Sequence, residues 1–65
     1  MDPKIAINYL RNLIDSRDEV IRRIERKRSM SASEKAMSIS TYIQQRGALQ
    51  LGIDAIKKVH GVDDE

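Results

Sequence analysis

The pattern that most constrains this chain is a recurrence of apolar residues at steps of three and four, which predicts two long helices. The first row consists of Ile7, Leu10, Ile14, Arg17, Ile21, Ile24 and Arg28, and the second of Ile39, Tyr42, Arg46, Leu49, Ile53, Ile56 and His60. Residues at this spacing share one face of an α-helix, so each row predicts a seam that packs against a partner helix.

Local signals place both ends of the first helix. Asp2 is a good N-cap residue, and the fixed φ of Pro3 suits the first helical position. We expect helix one over about residues 3–28. A serine-rich turn at 29–32 follows, because serine side chains compete for backbone hydrogen bonds.

The second helix is expected over about residues 33–60. Ser31 and Glu34 have the spacing of a capping box at its start. Gly61 suits the left-handed residue that ends many helices, and residues 61–65 form an acidic tail. The predicted fold class is therefore all-α, a two-helix antiparallel hairpin in a single domain that assembles into a homo-oligomeric helical bundle.

Each seam has an arginine near its centre, Arg17 in the first and Arg46 in the second. A chain that folds back near residues 29–31 places residue 17 opposite about residue 44, given a helical rise of about 1.5 Å per residue. We therefore expect the two guanidinium groups to share one buried layer. A buried cation needs a partner. The partner is either an anionic ligand or one of the nearby carboxylates of Asp15, Asp18, Glu19 and Asp54.

Size and composition argue against an enzyme. The chain has 65 residues, no cysteine and one histidine, which excludes disulfides and cysteine-based metal sites. The sequence contains no nucleophile–base pair and no glycine-rich phosphate loop. We expect no catalytic activity and no cofactor. Because no apolar run is long enough for a membrane span, we expect a protein of the cytoplasm, or of the host cytoplasm if it is encoded by a phage.

Second apolar rows predict self-association. One lies on helix one, at Ile5, Tyr9, Leu13 and Val20, and one on helix two, at Ala36, Ser40, Ile43, Gly47, Leu51 and Ala55. A hairpin covers only one face of each helix, so other subunits must cover the rest. We expect a homo-oligomer, between a dimer and a hexamer, with Gly47 and Gly52 at the closest approach between subunits.

Charge is concentrated at residues 22–28, which read RRIERKR. Such a cluster attracts nucleic acid, a nucleotide or an acidic protein. An alternative interpretation is a solvated face that complements the negative end of helix one. Tyr9 is one of only two aromatic residues and is a candidate for stacking on a base.

Residues 33–58 resemble the C-terminal helix of the phage anti-CBASS sponge family. The matching residues are Glu34, Lys35, Thr41, Ile43, Gln44, Leu49, Leu51, Gly52, Ala55 and Ile56. Members of that family are small helical proteins that form hexamers and sequester cyclic di- and trinucleotide immune signals. The resemblance implies binding by Tyr9 with Arg23 or Lys27 at subunit boundaries, and by Arg46 near a symmetry axis. This chain has one extra residue between Glu34 and Thr41 and lacks the family's Met-Trp pair.

The plan of two long helices, a short turn and an acidic tail also resembles plasmid copy-number proteins that dimerise and bind paired RNA loops. Their RNA-binding phenylalanine has no counterpart here. The residues, together with what the resemblance to the sponge family implies, predict a non-enzymatic oligomer that sequesters a small anionic nucleotide, with Tyr9, Arg17, Arg23, Lys27 and Arg46 as ligand-binding residues. The alternative is a small adaptor or inhibitor that binds RNA, DNA or an acidic partner protein through its basic turn.

Overall fold

The protein is a helical hairpin. A computed structural model describes residues 1–62, in which α1 (Pro3–Arg26) and α2 (Ala32–His60) pack against each other along their lengths. The helices run antiparallel, since Arg17 contacts Gln45 and a Cβ atom built on Gly52 would lie 3.5 Å from Cδ1 of Leu10. The predicted all-α hairpin is confirmed, and its register differs from the expected one by a single residue.

The start of α1 follows the sequence signals, but its end does not. The Asp2 side chain accepts a hydrogen bond of 2.8 Å from the Lys4 N–H, and Pro3 occupies the first turn. The helix ends at Arg26 rather than near residue 28, because Lys27 is extended, with φ −70° and ψ 121°. The Lys27 N–H donates to the Ile24 carbonyl at 3.1 Å, which tightens the last turn and leaves residues 27–31 to reverse the chain.

Both ends of α2 carry the predicted caps. Ser31 Oγ accepts from the Glu34 N–H at 3.2 Å, while Glu34 Oε1 accepts from the Ser31 N–H at 3.4 Å. At the other end Gly61 is left-handed, with φ 63°, and the Val62 N–H donates to the Lys57 carbonyl at 3.1 Å. Most of the acidic tail expected at residues 61–65 lies outside the described residues.

The hydrophobic core is small. Among residues 1–62 the buried side chains are Ile7, Ile24 and Ile53, exposed by 3%, 7% and 1%. No polar or charged side chain in this part of the chain is buried, so the expected buried arginine layer is wrong. Arg46 keeps 44% of its side chain exposed and Arg17 is half-buried, because long side chains at the edge of a seam extend their charged ends towards water.

The two helix-interior glycines have different surroundings, contrary to the expectation that both lie at a contact between subunits. Gly52 faces Leu10 within the hairpin, whereas a Cβ atom on Gly47 would meet nothing within 4 Å. The reason is helical geometry, since five residues rotate the chain by about 140°. Only Gly47 lies on the surface that the hairpin leaves open.

The capping box provides a test of what holds the turn. Ser31→Ala removes the acceptor for the Glu34 N–H, and we expect the free energy of unfolding to fall by about 1 kcal/mol. Ser33→Ala is the matched control, an exposed serine inside the first turn, where alanine favours the helix. Thermal and urea unfolding followed by circular dichroism measure both. Equal stability of the two variants would show that the box does not hold the turn.

Candidate functional site

Arg46 is held by an ion pair with α1. Its Nε atom lies 2.9 Å from Oδ1 of Asp18, and the exposed fractions of the two side chains are 44% and 27%. The sequence left open whether Arg46 meets a carboxylate or a ligand, and within this chain Asp18 is the partner. Because the pair is partly solvated, it contributes modestly to stability and mainly orients the guanidinium towards α1.

Arg17 also reaches across to α2 but meets a neutral partner. Its Nε atom donates to Oε1 of Gln45 at 3.0 Å. Consecutive residues of a helix point about 100° apart, so Arg17 and its neighbour Asp18 lie on opposite edges of the seam. The two arginines therefore lie at about the same level but on opposite edges of the seam instead of together in its interior, and neither is an unpaired buried cation. The sequence gives no signal that singles out Gln45 as the partner.

The turn end of α1 carries a cluster of cations, which we call the basic end: Arg22, Arg23, Arg26, Lys27 and Arg28. All five are exposed. Glu19 lies 3.5 Å from Arg22 and 3.6 Å from Arg23, but the Arg23 side chain is still 71% exposed. Such exposed pairs are weak, so these cations are accessible to an external anion.

Lys35 is a cation that the sequence reasoning missed. Its Nζ atom donates to the Glu25 carbonyl oxygen at 3.1 Å, and the residue is half-buried. The last carbonyls of a helix have no partner within the helix and carry partial negative charge, which makes them a good contact for an ammonium group. This hydrogen bond links the start of α2 to the last turn of α1, next to the basic end.

Tyr9 and Arg23 lie on one face of α1, with Ser16 between them. The three residues are spaced by seven positions, which is two helical turns, and we call them the α1 row. Tyr9 is 61% exposed, and Ile5, one turn earlier on α1, is 60% exposed. Tyr9 lies about 21 Å from Arg23 along the helix at about 1.5 Å per residue, and Lys27 lies beyond the end of α1. One chain therefore does not bring these candidates into one pocket.

The hairpin has an open groove on the side where α2 meets Ile14. It is lined by Ile14, Ile43, Arg46, Gly47 and Gln50 and has a volume of about 300 Å³. Its lining is about equally polar and apolar, with Arg46 and Gln50 on the polar side and Ile14 and Ile43 on the apolar side. Among residues 1–62, no three histidine or acidic side chains lie together as a metal site.

Comparisons with protein-family models, with curated proteins and with solved structures found no match to this chain. Neither helix, over the residues described, has an apolar stretch long enough to cross a membrane.

The Arg46–Asp18 pair predicts a small, measurable coupling. In a double-mutant cycle of Arg46→Met and Asp18→Asn, we expect an interaction energy of about 0.5–1 kcal/mol, which decreases with added salt. Urea unfolding of the four proteins at two salt concentrations measures it. A coupling of several kcal/mol would mean that the pair is far more buried in solution than the single chain indicates.

Proposed function

We propose that this protein is a non-enzymatic, homo-oligomeric binding protein that sequesters a small ligand carrying phosphate groups, with cyclic nucleotides as the first candidate class. The observation that carries the proposal is the α1 row, an exposed tyrosine and an exposed arginine on one helix face. An aromatic ring stacks on a base, and a guanidinium binds phosphate through parallel hydrogen bonds.

The α1 row suits a site shared between two subunits. When two α1 helices run antiparallel and cross at Ser16, Tyr9 lies level with Arg23 of the partner subunit, since both are about 10 Å from Ser16 at a rise of about 1.5 Å per residue. Ser16 is small and exposed, so the helices can approach closely at the crossing. The two-fold symmetry then produces two equal sites, each with one tyrosine and one arginine.

The ligand class follows from the resemblance of residues 33–58 to the phage anti-CBASS sponge family. On that basis the ligand is a cyclic di- or trinucleotide immune signal, and the biological role is phage counter-defence. Lys27, the residue just beyond the end of α1, adds a second cation near Arg23. Arg17 and Arg46 already have partners within the chain, so we assign them to the hairpin rather than to this site.

Subunit complementation tests the shared site. Tyr9→Ala and Arg23→Ala should each weaken binding of a labelled cyclic dinucleotide at least tenfold. Equal mixing of the two variants, after unfolding and refolding together, should restore about a quarter of the sites, because half of the two-fold pairs are mixed and each has one intact site. Isothermal titration calorimetry gives the number of sites directly.

Two controls make this result interpretable. Arg11→Ala changes a cation on another face of α1 and should leave binding within twofold. Circular dichroism of each variant checks that the helices are retained. If the parent protein binds no cyclic nucleotide at physiological salt, the sponge proposal fails. If it binds but mixing restores no sites, the ligand is bound within one subunit.

The basic end favours a second candidate function, in which the protein is an adaptor or inhibitor that binds RNA, DNA or an acidic protein. Five exposed cations within two helical turns and the adjoining turn can neutralise several phosphates at once. A two-phosphate ligand contacts fewer cations than this cluster offers. The basic end can therefore neutralise more phosphate groups than a cyclic dinucleotide carries.

Salt dependence separates the two functions. Polynucleotide binding through several phosphates should weaken by at least a hundredfold between about 50 and 200 mM salt, whereas cyclic dinucleotide binding should change much less. Replacing Arg22 and Arg26 together with glutamine should reduce the polynucleotide slope by about two and leave the Tyr9 site intact. Fluorescence anisotropy with labelled hairpin RNA and duplex DNA gives the slopes. Tight, salt-tolerant RNA binding without nucleotide binding would reverse the ranking.

A further inference from the structure

The outer face of α2, turned away from α1, carries no charge over most of its length. Between residues 36 and 53 the sequence contains one charged residue, Arg46. That guanidinium turns towards α1 and pairs with Asp18 at 2.9 Å, which removes the charge from the outer face. A helix face that is exposed to solvent normally carries several charged residues over this length. The absence of charge is therefore unusual for a solvated surface.

Large apolar side chains project from this face. Met37, Ile43 and Leu51 are exposed by 72%, 52% and 71%. Gly47 lies between them, where a Cβ atom would meet nothing within 4 Å, beside the open groove of about 300 Å³. The face therefore has protruding apolar side chains around Gly47, and the groove, which Ile14 of α1 also lines, runs along one edge of the face.

The chain exposes enough surface for a standard protein–protein contact. Its accessible surface is 5030 Å², whereas a compact monomer of 7.4 kDa has about 4,200 Å². The hairpin is elongated, 45 × 19 × 14 Å, and its excess surface of about 800 Å² is as large as the area that each partner buries in a standard interface. A hairpin with three buried isoleucines also has less core than an independent domain of this length normally needs.

We propose that this face binds the same face of a second copy of the chain, with the two α2 helices antiparallel and crossing near Gly47. In this arrangement the partner's Ile43 packs into the groove beside Gly47. On the other edge Leu51 packs near Ser40 of the partner subunit. The contact is isologous, so each copy supplies both the protruding side chains and the groove.

Charge selects the antiparallel orientation. A parallel pair would place the last turns of the two α2 helices side by side, each with the cations Lys57 and Lys58. The antiparallel pair places these turns at opposite ends of an assembly whose protomer is 45 Å long, several Debye lengths apart. Repulsion between the two last turns then does not oppose the contact.

Cysteine scanning tests the contact in a chain that has no cysteine of its own. Gly47→Cys should form a disulfide-linked dimer under mild oxidation, because the crossing brings the two copies of residue 47 together. Val59→Cys, at another exposed position, in the last turn of α2, should remain uncross-linked. Non-reducing electrophoresis reports both. Absence of the Gly47→Cys dimer, or equal linkage of Val59→Cys, would overturn the proposal.

Mixed cross-linking decides the orientation. Ser40→Cys and Leu51→Cys proteins, refolded together and then oxidised, should give mainly the heterodimer, which mass spectrometry distinguishes from either homodimer. A parallel pair would instead link each variant to itself, and that outcome would reject the antiparallel arrangement.

Gly47→Leu separates loss of assembly from loss of folding. Within one chain the new side chain enters open space, and leucine favours a helix over glycine, so the hairpin keeps its helicity. At the crossing point, however, the side chain keeps the two backbones apart, and sedimentation should show at least a twofold lower mass than the parent. Asn8→Leu, on the charged face of α1, should sediment like the parent.

The α2 contact and the α1 row are different surfaces, so each proposal can be rejected without rejecting the other. Loss of cyclic nucleotide binding in Tyr9→Ala with an intact Gly47→Cys cross-link would leave the α2 contact standing. An unchanged sedimenting mass for Gly47→Leu would reject the α2 contact whatever the ligand experiments give.

Discussion

The contact on which the rest of this structure depends is the packing of α1 against α2, which buries Ile7, Ile24 and Ile53. The Arg46–Asp18 ion pair and the Arg17–Gln45 hydrogen bond lie at the two edges of this seam, near the middle of both helices. A slip of one residue would rotate these side chains about 100° away from each other. The ion pair is solvated and contributes little to stability, so the register depends on the buried isoleucines, while the pair directs the one charge of mid-α2 inward.

Two kinds of feature could be predicted from the sequence: the helix ends, which depend on neighbouring residues, and the register of the hairpin, which follows from counting residues from the turn. Asp2, Ser31 and Gly61 marked helix ends through hydrogen-bonding geometry that involves only neighbouring residues. Counting from the turn placed Arg17 within one residue of its partner. Periodicity could not tell the centre of a seam from its edge, since steps of three and four drift around the helix. The arginines were therefore expected to be buried, although their long side chains reach water.

The candidate site was less predictable than the fold for a physical reason. Tyr9 and Arg23 are recognisable as binding residue types, but they lie four turns apart on one helix. Whether they form a site depends on how two copies meet, and that depends on surface features such as the lone helical glycine in open space, Gly47. A pattern in one sequence gives the residues of a shared site without the symmetry that assembles it.

The two proposed contacts together restrict the assembly further than either does alone. The α1 row and the outer face of α2 lie on different sides of the hairpin, so one chain can occupy both contacts at once. Each contact is isologous and generates a two-fold axis. If the two axes meet at about 90° the assembly closes as a tetramer, and at about 60° as a hexamer, with an even number of chains in both cases. If a ligand binds across α1 pairs as proposed, it stabilises the closed form by mass action, since such a site exists only in the assembled state. Retention of a small anion and the size of the assembly should therefore depend on each other, even though no residue belongs to both surfaces.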